Sequence, residues 1–367
     1  MSGDRPRPTL RTIRGPEFSA ILGIGDHRPE RVVGNDEIVR YIDSTDEWIR
    51  ERSGIAARRQ AGPDESLVDM SVSAAQAALD AAGVAADRVG AVIVATISHD
   101  VQTPAAATLV ADRIGAGHAA AYDLGAACSG FTYGIATADD LVRSGRAEHV
   151  LVIGAEKLSD YRNPYDRGTA FVFGDGAGAA LVGPSTTPGI SATVWGADGS
   201  GAPLISQSVG WNAARAAWFR DTAEHGLDAA GGELPPPARV NPEATDTYWP
   251  YLTMQGPSVF RWAAYQMAPV ALEAIEAAGI TPDDLDVFVP HQANTRIIDA
   301  LVKKIGLPDR VVVARDDLAD MANTSAASIP LATARLLREG RAKSGDLALL
   351  MGFGAGLTWA AQVVVLP

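Results

Sequence analysis

Two kinds of hydrophobic spacing take turns along the chain. In "AALDAAGVAADRVGAVIVATISHD" (77–100), apolar residues first recur at helical spacing; after an AAG stop and an acidic turn they close into an apolar run. "EAIEAAGITPDDLDVFVPHQAN" (273–294) repeats the plan of helix, AAG, acidic turn, buried strand and loop. Gly83 and Gly279, which end the two triplets, stand at an offset of 196. "LVRSGRA" (141–147) recurs as "LLREGRA" (336–342) at an offset of 195, and each copy leads into another apolar strand, "HVLVIGA" (149–155) and "DLALLMGF" (346–353). Strands this apolar belong in sheets covered by helices on both faces. Two blocks in the same order at nearly the same offset predict an internal duplication with two α/β halves.

The opening "MSGDRPRPTLRTIRGPEF" lacks the apolar segment of a secretory signal, and its prolines and Asp4 predict a loose arm over residues 1–16 in preference to an Arg-rich transit segment. The two halves then run over 17–184 and 185–367. Inside the second, residues 206–250 mix Trp, Pro and charge without a clear period, and "GGELPPPARVNP" reads as a loop or polyproline turn. This insertion is either a surface excursion or a lid or pocket wall.

Composition narrows the field. A chain of 367 residues, 47% hydrophobic, suits a globular enzyme. The net charge of −13 disfavours nonspecific nucleic-acid binding. One cysteine makes neither an internal disulfide nor a Cys-based zinc site, and the six histidines show no HExxH spacing, so no metal is expected. No apolar run approaches the roughly 18–20 residues of a membrane span. The expected location is the cytoplasm.

That single cysteine, Cys128 in "DLGAACSGFTYG" (123–134), opens a nearly uncharged helix. It is either a small core hydrophobe or a nucleophile whose thiol pKa is lowered by the helix N-terminus. Adding the offset of 195 to Cys128 gives Asn323 in "MANTSAASIP", a helix cap or a hydrogen-bond donor. His291 closes the strand "DVFVP"; it is structural, or a general base or charge stabiliser. Thiol, imidazole and carboxamide at matched turns of a duplicated chain point to one site between the halves. "FGDGAGAALVG" (173–183) has the wrong glycine spacing for a dinucleotide loop. "GFGAG" (352–356) is a tight turn or an oxyanion-binding one.

Taken together, "STDEWIRERSGI" (44–55), "AACSGFTYG", "DRGTAFVFGDGAGAALVG" (166–183), "VPHQANTRII", "NTSAASIPLA" (323–332) and "GFGAGLTWAAQVV" resemble the β-ketoacyl-ACP synthase III family, in family order and from about residue 17 onward. The resemblance implies the thiolase-like fold, an α/β protein of two duplicated halves in five αβαβα layers, usually a homodimer. It implies that an acyl-CoA primer acylates Cys128 and that malonyl-ACP is then decarboxylated, His291 and Asn323 holding the enolate, to give 3-oxoacyl-ACP. Backbone N–H groups of Cys128 and of the Gly354–Ala355–Gly356 turn would bind the oxyanions. Trp48 and Arg167 would sandwich the CoA adenine, with Phe260 also on the CoA path. Gln292, Ala293, Asn294, Thr295 and Arg296 would contact acyl carrier protein, aided by basic Arg261, Lys303 and Lys304, which otherwise read as solvated helix faces. No cofactor is implied beyond these substrates.

Three positions depart from the family's pattern. Ala322 stands where glycine is usual, the 206–250 segment is long, and Thr103, before Pro104, stands where some relatives place a bulky aromatic from the partner subunit. A small residue there predicts room for longer or branched primers. Two other readings of the triad stay open on sequence: a non-decarboxylating acyltransferase of the same fold, and a Cys-His-Asn thiol hydrolase. A noncatalytic acyl-binding module would not need the cysteine.

Overall fold

Alternation along each strand sorts the side chains into layers. The structure, a computed structural model, describes residues 10–224 and 249–367. The N-terminal sheet runs, in space, Phe18–His27, Asp175–Ser185, His149–Lys157, Val89–Ala95, Ala120–Leu124. The C-terminal sheet runs Val194–Ala197, Thr358–Val365, Leu347–Gly354, Val287–Pro290, Val312–Val313. Counted along the chain, both orders read first, fifth, fourth, second, third. In both, the second strand is parallel to the third and fourth, and the fifth is antiparallel to its neighbours.

Between the sheets lie the helices Gly130–Arg143 and Ser328–Arg338. Phe131, Ile135 and Val142 of the first and Ile329, Ala332 and Leu336 of the second share one buried core with Ile93, Val152 and Val182 of one sheet and Val289, Leu350 and Val364 of the other. The alternate residues Val92, Val94, Leu151 and Ile153 face outward, against helices Leu67–Ala82 and Ala106–Ile114. Phe288, Leu349 and Met351 likewise pack under helices Gly256–Ala277 and Thr295–Ile305. Five layers result, and strands buried on both faces account for the uninterrupted apolar runs. The two AAG stops end as the pattern requires, with Gly83 and Gly279 left-handed at φ 64° and 73°.

The duplication also reaches the middle of the molecule, with a slip. A 3-10 turn precedes each central helix, Ala127–Ser129 and Ser325–Ala327, and each begins on a left-handed residue, Ala127 at φ 46° and Ser325 at φ 47°. Those residues, like the helix starts Gly130 and Ser328, are 198 apart. Cys128 is therefore matched in space by Ala326, and Asn323 lies three positions earlier. The offset of 195 holds only beyond the helices, which are 14 and 11 residues long.

Glycines let the halves interlock here. A Cβ on Gly154 would lie 2.2 Å from the Ala326 carbonyl oxygen, and one on Gly352 2.7 Å from Ser129 Cα. The "FGDGAG" glycines serve the same purpose: a Cβ on Gly178 would lie 2.9 Å from the Leu331 backbone nitrogen. Near the N-terminus, the expected loose arm is tied down at its end, where the Gly15 N–H donates to the Arg143 carbonyl at 3.2 Å. The insertion holds a helix, Trp211–Glu224, that the irregular sequence did not predict. The Pro-rich stretch 231–242 falls outside the described residues.

Candidate active site

Cys128, His291 and Asn323 line one cavity of about 610 Å³. Each is placed by backbone that has no freedom to wander. The Cys128 turn is tied to the C-terminal hairpin by Thr358, whose Oγ1 donates to the Ala126 carbonyl at 3.1 Å and lies 2.7 Å from Ser129 Oγ. His291 extends its strand, its N–H donating to the Met351 carbonyl at 2.7 Å, and its ring meets Phe353 edge-on at 5.5 Å. Asn323 is clamped by its own backbone, donating to Val172 at 2.9 Å and accepting from Gly174 at 3.1 Å.

Side-chain bonds then orient the functional groups. Asn323 Oδ1 accepts the Ser325 N–H at 2.8 Å, which fixes the amide and leaves its NH₂ as the free donor. His291 Nδ1 lies 2.7 Å from Ser328 Oγ, and that oxygen accepts the Gln292 N–H at 3.4 Å. Ser328 Oγ can donate its proton to Nδ1, and in that tautomer Nε2 carries the imidazole hydrogen. Burial holds the His291 pKa down to about 3, so the ring is neutral at physiological pH. Imidazole NMR of the folded protein should show no His291 titration from pH 8 down to pH 5; an inflection near 6.5 would refute this.

The thiol behaves opposite to expectation. Cys128 has some accessible surface, on the cavity it lines, but protein surrounds the rest. That burial pushes its pKa up to about 11; the Glu156 charge adds to the rise. The Ser325 hydroxyl and the backbone N–H groups of Cys128 and Ala355 pull the other way without winning. Desolvation outweighs the helix N-terminus, so the resting sulfur is a thiol.

Of the glycine turn, Ala355 is the residue whose N–H reaches the sulfur. Gly354 supplies room: a Cβ there would lie 2.8 Å from Cys128 Sγ. Gly356 is left-handed at φ 73° and closes the turn.

Trp48, Arg167, Phe260, Arg261, Ala293, Asn294 and Arg296 all border the cavity. Trp48 and Arg167 already touch, the guanidinium 4.7 Å from the indole centroid, so an adenine sandwiched between them requires the arginine to swing away. Arg296 stacks on Phe260 at 5.2 Å, and Lys304 on Tyr265 at 3.6 Å; Lys303 is exposed beside it. Thr295 is half-buried under Gly54. Gln292 is corrected: it is buried, its Nε2 donating to the Pro290 and Ala314 carbonyls at 2.7 and 3.1 Å, so it braces the His291 turn and offers nothing to a surface partner. Thr103 is exposed and lines a second cavity of about 640 Å³, which meets the cysteine turn at Ala127 and Ala355. Ser206, Gln207 and Trp211 border the second cavity, so the start of the insertion forms pocket wall.

Ala322 adopts φ 57°, ψ −156°, a region essentially reserved for glycine. Ala322→Gly should therefore raise unfolding stability by roughly 1 kcal/mol after the entropy of the freer unfolded chain is subtracted. Urea denaturation reads this, and an unchanged or lower midpoint would contradict it.

Sequence reasoning missed Ser325, Ser328 and Glu156. The first two stood in view in "NTSAAS", two and five places beyond Asn323; Glu156 looked like the polar end of an apolar strand. Among the described residues no cluster of three His, Cys, Asp or Glu could hold a metal.

A cysteine, a neutral histidine and an asparagine between two copies of one α/β unit define a thiolase-like acyl-transferring enzyme. Family profiles for 3-oxoacyl-[acyl-carrier-protein (ACP)] synthase III and for the 3-oxoacyl-[acyl-carrier-protein (ACP)] synthase III C terminal match residues 122–199 and 275–366. The chain is 52% identical to "Beta-ketoacyl-[acyl-carrier-protein] synthase III 1" of Streptomyces coelicolor over 358 residues, 98% of this chain and 99% of that protein. It is 46% identical to the mycobacterial β-ketoacyl-[acyl-carrier-protein] synthase III of Mycobacterium tuberculosis over 359 residues, 98% of each. A solved structure, the priming β-ketosynthase from the R1128 polyketide biosynthetic pathway, superposes with a TM-score of 0.86 at 44% identity, covering 98% of this chain and 99% of that one. The chain belongs to the β-ketoacyl-[acyl-carrier-protein] synthase III family.

Proposed function

We propose that this enzyme joins an acyl-CoA primer to malonyl-ACP with loss of CO₂, forming 3-oxoacyl-ACP and priming fatty-acid or polyketide chains. One observation supports this above the others. The cavity that holds the triad is bordered, among the described residues, by four arginines, Arg52, Arg167, Arg261 and Arg296, and by no aspartate or glutamate, on a chain of net charge −13. Such a lining suits a phosphate-bearing thioester and leaves nothing to repel a developing enolate.

The chemistry follows in two stages. The Cys128 sulfur attacks the acyl-CoA carbonyl, whose oxyanion receives the Cys128 and Ala355 N–H groups. The carbon–sulfur bond to CoA breaks, leaving an acyl thioester on Cys128 and CoA as its thiol. Malonyl-ACP then places its thioester oxygen against the His291 Nε2–H and the Asn323 NH₂. Its terminal carbon–carbon bond breaks, CO₂ departs, and the electron pair rests as an enolate held by those two neutral donors. The enolate carbon attacks the Cys128 thioester, and the sulfur leaves with the bonding electrons. Neither donor gives up a proton to hold the charge, so a histidine that resists protonation suits the task.

The same reading makes the protein a cytoplasmic homodimer without a resident cofactor, docking acyl carrier protein on Arg296, Arg261, Lys303 and Lys304. Among the described residues no helix is long and apolar enough to cross a membrane.

Intact-mass measurement of protein and malonyl-ACP with a panel of acyl-CoAs tests the proposal. An adduct absent from Cys128→Ser, with 3-oxoacyl-ACP of matching length, supports it and names the primer. An adduct with malonyl-ACP unchanged would replace it with simple acyl transfer, and no adduct from any CoA would end it.

A further inference from the structure

The Cys128 thiol must lose a proton to become acylated, and His291, neutral and weakly basic, is a poor acceptor. A stronger one lies behind the sulfur. Strand His149–Lys157 turns Val152 and Gly154 toward the central layer, and the same alternation turns Glu156 inward, toward the turn Ser325–Ala327. Glu156 is fully buried. Its Oε2 is saturated, accepting from Thr96 Oγ1 at 3.1 Å, the Ile97 N–H at 3.2 Å and Ser98 Oγ at 2.5 Å. Its Oε1 is buried without a partner, and so is Ser325 Oγ. Ser325 stands between the two ionisable groups, close enough to favour the charged form of both, aligned at rest with neither. Two orphaned polar atoms in a core are each unfavourable by about 1–3 kcal/mol, and here one is the carboxyl's own free oxygen and the other a hydroxyl that bears on both the carboxyl and the nucleophile.

We propose that Ser325 and Glu156 form a relay that takes the Cys128 thiol proton during acylation and returns it to the departing CoA sulfur. As the sulfur bonds to the acyl carbon, its proton passes to Ser325 Oγ, and the Ser325 hydroxyl proton passes to Glu156 Oε1. When the carbon–sulfur bond to CoA breaks, the transfers reverse and CoA leaves as a thiol, so no proton is gained or lost. Ser325 is the group that meets the reacting sulfur during the transfer; Glu156 acts through it and is a positioning residue. This rests on Cys128 being the acyl acceptor.

Burial pushes the Glu156 pKa up to about 7, which gives it the proton affinity the task needs at neutral pH. Among the described residues, its charge bears on Cys128 and Tyr161. Lys157, next along the strand, is engaged by the Gly62 and Glu65 carbonyls at 3.0 Å and by Asp160 at 3.8 Å. Asp160 and Asp100 also bear on Tyr161, and Asp175 accepts from Ser159 Oγ at 2.6 Å.

Single-turnover acylation by acetyl-CoA, followed by intact mass from pH 5.5 to 9, tests the relay. The wild-type rate should rise with pH and level off near 7. Glu156→Gln and Ser325→Ala should be about 10²-fold slower at pH 8, with no inflection near 7. Glu156→Gln as fast as wild type or faster at pH 8 means the carboxylate only repels the thiolate, and the relay is wrong. Ser325→Ala with the wild-type rate and inflection, or a wild-type profile without one, overturns it equally, and these two tests stand if Glu156→Gln fails to fold. Alkylation of Cys128 by iodoacetamide over the same range separates this idea from the proposed function. A protein that takes no acyl group yet alkylates with the inflection keeps the relay and loses the function; one that alkylates without it loses the relay.

Discussion

Asn323→Asp is expected to reduce 3-oxoacyl-ACP formation more severely than Asn323→Ala, although aspartate is the closer match in shape. The Ser325 N–H already occupies Oδ1, so in the aspartate variant that bond survives and the second oxygen replaces the NH₂. An acceptor with negative charge then faces the enolate, in a cavity whose described lining carries no other carboxylate. Alanine merely removes a donor, for which about 10²–10³-fold in rate is typical. The aspartate variant should fall below that, and a buried carboxylate with one hydrogen bond will titrate upward, so part of the loss should be recovered as pH is lowered. Cys128 acylation should survive in both, because the acylation oxyanion uses the Cys128 and Ala355 N–H groups. Paired assays of acyl transfer and condensation decide the matter: equal losses in the two half-reactions would remove Asn323 from the decarboxylation step.

Gly354→Ala should be nearly as damaging, for a purely steric reason. The new methyl group would sit 2.7 Å from Cys128 Cβ and 2.8 Å from its sulfur, well inside contact distance. The backbone there is extended, at φ 179°, so any residue can adopt it and the conflict is with the nucleophile alone. Either the sulfur is pushed off its line to the Ala355 N–H or the hairpin retreats. Both degrade alignment, and displacements of about 1 Å can reduce rates about 10²-fold. Overpacking of this kind also destabilises by about 1–3 kcal/mol. Acylation rate and urea midpoint should fall together, and a variant that acylates normally would show that the turn is softer than its packing implies.

How much of this was written in the sequence depends on the kind of signal. Apolar runs and the AAG stops carried the strands, the helix ends and the duplication, because burial on both faces leaves few polar residues to blur a strand. The triad was legible because chemistry restricts residue type. Its electrostatics were not. The dipole at a helix start can be read from a motif, whereas the desolvation that raises Cys128 to about 11 belongs to neighbours brought from the whole chain. Gln292 illustrates the same limit: beside the catalytic histidine in sequence, it faces the opposite way, into the Ala314 carbonyl. The pairing of Cys128 with Asn323 went astray because the offset of 195 belongs to the segments after the central helices, whose lengths differ by three residues, whereas the turns before them stand 198 apart. The insertion gave no period because "WNAARAAWFRDTAE" (211–224) interleaves Ala and Trp with Asn, Arg, Asp and Glu.

The interlocked central turns have a further bearing, on how the enzyme fails. Catalytic groups in many proteins ride on surface loops, which open locally long before the fold is lost. Here Cys128 and Asn323 flank the two places where Gly154 and Gly352 let backbone meet backbone at the centre of the molecule. Nothing in that contact can open without parting the two sheets. The amides of 126–130 and 323–328 should thus belong to the last protected set in hydrogen exchange, opening only with global unfolding. Heat or denaturant should then extinguish activity and the folded state along a single curve, with no inactive but folded species preceding it.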